Sequence, residues 1–141
     1  MTRIKLFLLS AAGIIGGVIS NAVGGWNAAL TTLALFMAID WITGIIVAGV
    51  FKKSPKTETG ALESKAGLKG LLKKFAMGLA VCVAYRLDML AGTTTLKDGA
   101  IIAFIVNETI SIIENTGLMG LKWPAIIIDA IDLLRKKGDP Q

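Results

Sequence analysis

From Ala28 to Phe51 the chain carries nothing polar but three threonines and one carboxylate, Asp40, in "LALFMAIDWITGIIVAG". A bilayer-spanning helix needs roughly 20 mostly apolar residues, and this run supplies them. Three more apolar blocks run from Ile4 to Val23, Leu71 to Leu90 and Gly99 to Gly117. The third qualifies if Arg86 and Asp88 sit near its outer end, and the fourth is interrupted by Asn107, Glu108, Ser111 and Glu114. The expected fold is an all-α membrane protein. It has four transmembrane helices (spans 4–23, 28–51, 71–90 and 99–117), or three if the fourth block does not cross. A C-terminal amphipathic cytoplasmic helix follows within 118–141. The whole chain, 1–141, forms a single integral-membrane domain.

Block one could instead be a secretory signal, since Arg3 and Lys5 precede it and "SNA" at 20–22 resembles a cleavage site. Its apolar run exceeds the usual ~7–15 residues of such signals, which favours a span. Of the 15 basic residues, all but Arg86 and Lys97 lie at the N-terminus, between blocks two and three or in the first turn of block three, or in the C-terminal tail. Cationic loops stay in the cytoplasm, so four spans with both termini inside satisfy the bias. The net charge of +5 therefore belongs to membrane topology, and no nucleic-acid partner is expected. With no histidine and a single cysteine, Cys82, a His/Cys metal site and an intramolecular disulfide are excluded. No catalytic constellation, cofactor site or metal site is expected, and the chain reads as a non-enzyme.

Asp40 shares a helix face with Thr43 and Gly44, at i+3 and i+4. A carboxylate at mid-bilayer costs about 2.5–3.5 kcal/mol on insertion scales, and such residues face a bundle interior or water. In block four, Asn107, Glu108, Ser111, Glu114 and Asn115 fall on one side. Ile102, Ile105, Val106, Ile110 and Ile113 lie opposite. This is a polar stripe at membrane depth, or else a helix lying at the interface. Arg86 is the candidate counter-charge for Asp40 or Glu108. Gly13, Gly17, Ser20 and Gly24 recur on one face of block one, a pattern that lets helix backbones approach in lipid, although glycine is common in membrane helices anyway. The four-residue connection Gly24–Asn27 implies a tight hairpin of blocks one and two. "SKAGLKGLLKK" carries Ser64, Gly67, Gly70, Lys73 and Lys74. It is either a basic helix leading into block three or a solvated loop. Pro124 suits the first turn of the tail helix, whose basic end fits the inner membrane surface or partner helices.

"DWITG", "SKAGLKGLLKK", "NETISIIEN" and the proline-initiated tail, in that order, resemble the toxin-secretion/phage-lysis holin family (phage holin family 4). The resemblance covers about Ala34 to Leu134. It implies a phage or prophage protein of the bacterial cytoplasmic membrane that assembles as a homo-oligomer in the lipid bilayer and forms lesions. A cytoplasmic endolysin, a functional partner without direct contact, then reaches the cell wall, or in some relatives a toxin is released. The alternative reading of the residues is a small ion- or proton-coupled transporter or channel subunit in which Asp40 and Glu108 bind a cation and Arg86 gates them. A non-conducting scaffold is a third.

Overall fold

The computed structural model describes residues 2–138. Its helices are α1 (Arg3–Ala22), α2 (Ala28–Ile46, continued by a π-helical turn Val47–Phe51), α3 (Ser64–Ala91), α4 (Thr95–Leu118) and α5 (Ala125–Gly138). Two of them, α1 and α2 with its π turn, are long and apolar enough to cross a membrane. The basic segment at 64–74 forms the first three turns of α3 rather than a loop.

Helices α2, α3 and α4 pack on one another, with α4 in contact with both others. Val23, Leu30, Leu33, Val81 and Ile101 form the buried core, and Met37, Cys82, Phe104 and Ile105 close around it. Cys82 thus serves as a small hydrophobe. Helix boundaries follow local chemistry. The Asn27 side chain accepts from Leu30 N at 2.9 Å and starts α2. Gly92, at φ +68°, ends α3 in the left-handed conformation that glycine tolerates. Pro124 opens α5, its carbonyl accepting from Ile127 N at 3.0 Å.

The α3–α4 hairpin is locked by Asp88, which is 2% exposed. Its Oδ1 accepts from Thr93 Oγ1 at 2.6 Å and Leu96 N at 3.0 Å, and its Oδ2 accepts from Lys97 N at 2.7 Å. A carboxylate from the preceding helix therefore caps α4 and faces its positive dipole end. Beside it, the Lys97 ammonium lies 5.4 Å from the Tyr85 ring centroid. The same ring covers Gly24, at φ +76°, where any Cβ would collide with it.

The expected tight hairpin of blocks one and two is not what forms. Helix α1 buries none of its residues and makes no extended packing with α2. Gly24 and Gly25 both take positive φ, which swings α1 away. Two apolar helices have no hydrophobic drive to pair when lipid serves either surface equally well. Accordingly, a Cβ on Gly13 or Gly17 would meet nothing within 4 Å. Ser20 is half-buried, and Gly24 alone of this face approaches another helix closely, through Tyr85. Helix α5 folds back onto α4, which is the partner-helix alternative for the tail.

Candidate functional site

The three sequence motifs meet at one place. Lys74 Nζ donates to Asp40 Oδ2 at 2.6 Å and to Glu108 Oε2 at 2.5 Å. The side chains are 13%, 7% and 3% exposed respectively. One ammonium from α3 thus joins a carboxylate from α2 to one from α4, and each charge is withdrawn from solvent only because the others are present.

Arg86 is not the counter-charge. It is exposed, its guanidinium reaching only Met89 Sδ at 3.9 Å. Twelve residues along one helix amount to about 18 Å of rise and about a third of a turn of rotation. A single helix therefore cannot present both Lys74 and Arg86 to the same carboxylates. The sequence places Lys74 in a cytoplasmic basic motif; its depth on α3 follows from the helix beginning at Ser64.

The "DWITG" pattern forms a notch for Asn115. The Asn115 amide donates to Asp40 Oδ1 at 3.1 Å, Asp40 O at 3.2 Å and Thr43 Oγ1 at 3.0 Å. Thr43 passes its own hydroxyl proton back to Ile39 O at 2.8 Å. Gly44 leaves room: a Cβ there would sit 3.7 Å from Asn115 Nδ2. The i, i+3, i+4 spacing therefore places a charge, a hydroxyl and a gap around one amide. Trp41, not singled out from the sequence, turns to the other neighbour. Its indole N–H donates to Gly67 O at 3.2 Å, and its ring lies 3.6 Å from where a Gly70 Cβ would be. The Trp41 ring thus bridges α2 to the start of α3, at Gly67 through its N–H and beside Gly70.

Above the ion cluster lies an open cleft of about 340 Å³. Asp40, Lys74, Glu108 and Ser111 line its inner part, and Lys56, Lys73, Asn107 and Glu114 also line it. The block-four stripe is therefore split. Glu108 and Asn115 are buried, Ser111 is half-buried, and Asn107 and Glu114 are exposed. Ser64, at the start of α3, is exposed and does not line the cleft. Chemically the site binds charge to charge across three helices.

The family model for the bacteriophage holin family matches residues 17–136. A protein of Listeria innocua, Lin0175, is 33% identical over 128 residues, covering 89% of this chain and 86% of its own length. A 14.9 kDa Clostridium perfringens protein from the nagH 3' region is 33% identical over 125 residues, covering 87% and 89%. A probable holin of Bacillus phage phi105 is 31% identical over 111 residues, covering 78% and 76%. No solved structure matches the chain. All three motifs of the ion cluster lie inside the matched span, and the chain belongs to the bacteriophage holin family.

Proposed function

We propose that the chain is a holin that assembles as a homo-oligomer in the bacterial cytoplasmic membrane and opens lesions through which a cytoplasmic endolysin reaches the cell wall. The observation that carries this reading is the distribution of polarity. The charges of Asp40, Lys74 and Glu108 are turned inward, while much of the outside is apolar. Helix α1 buries nothing. Leu68, Leu72, Phe75, Leu79 and Val83 make an exposed stripe along α3. Apolar surface of that extent marks contact with lipid or with other helices. It supports four crossings, α1 to α4, with both termini and the segment from Lys52 into the first turns of α3 cytoplasmic. In such a bundle the cleft opens toward the cytoplasm and ends at the ion cluster. Assembly would let Asn107 and Glu114, exposed in one protomer, meet other subunits or a hydrated interior instead of lipid.

Induced expression in bacteria is expected to stop growth abruptly and collapse the membrane potential. Co-expressed endolysin lacking an export signal should then lyse the cells. Continued growth with the protein verified in the membrane would remove this reading. The cleft leading to Asp40 and Glu108 favours one rival, ion- or proton-coupled transport, which instead demands saturable, ion-dependent flux at low expression. Topology has its own test: in a Cys82→Ala background, Lys137→Cys should resist membrane-impermeant maleimide in intact cells and react after permeabilisation. Labelling in intact cells would favour three spans.

A further inference from the structure

We infer that the α4 face bearing Ile102, Val106, Asn107 and Ile110 is a contact surface for a second copy of this chain, with Asn107 as its polar anchor. The inference rests on the assembly reading and names the surface that would carry it. Ile102, Val106 and Ile110 recur every four residues and form one row along the helix. Asn107 borders that row, is exposed, and its amide has no protein partner among the described residues. An amide on a lipid-facing helix lacks a hydrogen-bond partner unless another helix brings one, and this is how such residues associate spans. A two-fold contact presents the same patch from both subunits, so one Asn107 would meet the other, each donating and accepting.

In the single chain this row already receives a helix. Leu134 and Arg135 of α5 share a groove of about 230 Å³ with Ile102, Ala103, Val106 and Ile110. The seat is loose. Ile131 is buried, while Ile127 and Leu134 on the same side of α5 stay 37% and 44% exposed. It is also incompatible with a membrane-inserted α4. Asp129, Asp132 and Arg135 would be carried to the depth of mid-α4, where charged side chains are strongly disfavoured. The basic end of α5, Arg135, Lys136 and Lys137, is instead attracted to anionic headgroups. Insertion therefore moves α5 to the surface and uncovers the row for the same row of a second copy, whose Ile102, Val106 and Ile110 are uncharged and whose Glu108 is already paired with Lys74.

The test uses the full chain with Cys82→Ala, reconstituted in vesicles of phosphatidylethanolamine and phosphatidylglycerol. Ala103→Cys reports on the row and Leu79→Cys on the exposed face of α3. On oxidation, Ala103→Cys should give several-fold more disulfide-linked dimer than Leu79→Cys. Adding Asn107→Leu should lower that yield several-fold, and adding Asn107→Gln should preserve it. Equal yields from the two reporters, or a yield unchanged by Asn107→Leu, would overturn the inference. Dye release from the same vesicles is read separately. Dimer without release upholds the interface and counts against lesion formation; release without the dimer does the reverse.

Discussion

Lys74→Met is expected to be the most damaging single substitution in this protein. Methionine nearly matches the volume of the lysine stem, so packing is preserved while the ammonium is lost. Asp40 and Glu108, 7% and 3% exposed at the side chain, would then face each other without a cation. Removing one member of a buried ionic group costs about 3–5 kcal/mol, chiefly because the remaining charge is stranded. The variant should be degraded or should fail to assemble, and in detergent its thermal transition should fall sharply. Neutralising the whole group behaves differently. Lys74→Met combined with Asp40→Asn and Glu108→Gln leaves no stranded charge, and replacing a complete buried ionic group by neutral residues is often close to neutral. Recovery of stability in the triple variant, measured beside the single one, checks the account. If the single variant melts like the parent, the cluster contributes nothing. If the triple variant recovers stability but not lysis, the charges serve function rather than folding. Asp40→Asn against Asp40→Leu separates charge from hydrogen bonding at the Asn115 notch, since the first keeps an acceptor for the amide and the second does not.

The second large effect is expected at the other end of the bundle. Asp88→Ala removes the carboxylate that accepts from Thr93 Oγ1, Leu96 N and Lys97 N. Two donors at the start of α4 lose their partner at once. Each buried donor left unmatched costs about 1–3 kcal/mol. The α3–α4 hairpin should fray from Gly92 toward α4, with faster amide hydrogen exchange at Leu96 and Lys97. Asp88→Asn keeps one acceptor oxygen and should lose about half as much stability. Unchanged exchange at both amides in Asp88→Ala would show that α4 holds its first turn without the cap.

Asp88 also shows where a sequence stops being legible. Its place in block three suggested a charge near a membrane surface. Nothing in the local pattern said that its carboxylate would reach forward eight and nine residues to the next helix. That contact exists because Gly92 ends α3 abruptly and Thr95 begins α4 three residues later. The choice between Arg86 and Lys74 is similar. Both are basic residues flanking an apolar block, and the sequence favours the one deeper in that block. The structure favours Lys74 because α3 begins at Ser64, which puts Lys74 ten residues into the helix and level with Asp40 and Glu108. Trp41 carries no signal of its own in the sequence, because a tryptophan in an apolar run has many possible roles. Its hydrogen bond to Gly67 O depends on where α3 begins and how it lies against α2.

What the sequence determined by itself is everything that one helix decides alone. The apolar blocks, the faces on which Asp40, Thr43 and Gly44 or Glu108 and Asn115 share a side, and the proline start of α5 all follow from a period of about 3.6 residues and from backbone chemistry. The order of the three motifs was enough to indicate the family. Tertiary structure decided everything that depends on two helices at once. It set which cation meets the carboxylates, that α1 stands apart from α2, that Asp88 caps α4, and that α5 seats on α4. The physical reason is that partner choice rests on relative depth and rotation. Turns such as Gly24–Asn27 and Thr93–Thr94 set these, together with the close approach of Tyr85 to Gly24, and the periodicity of a single helix carries no record of either.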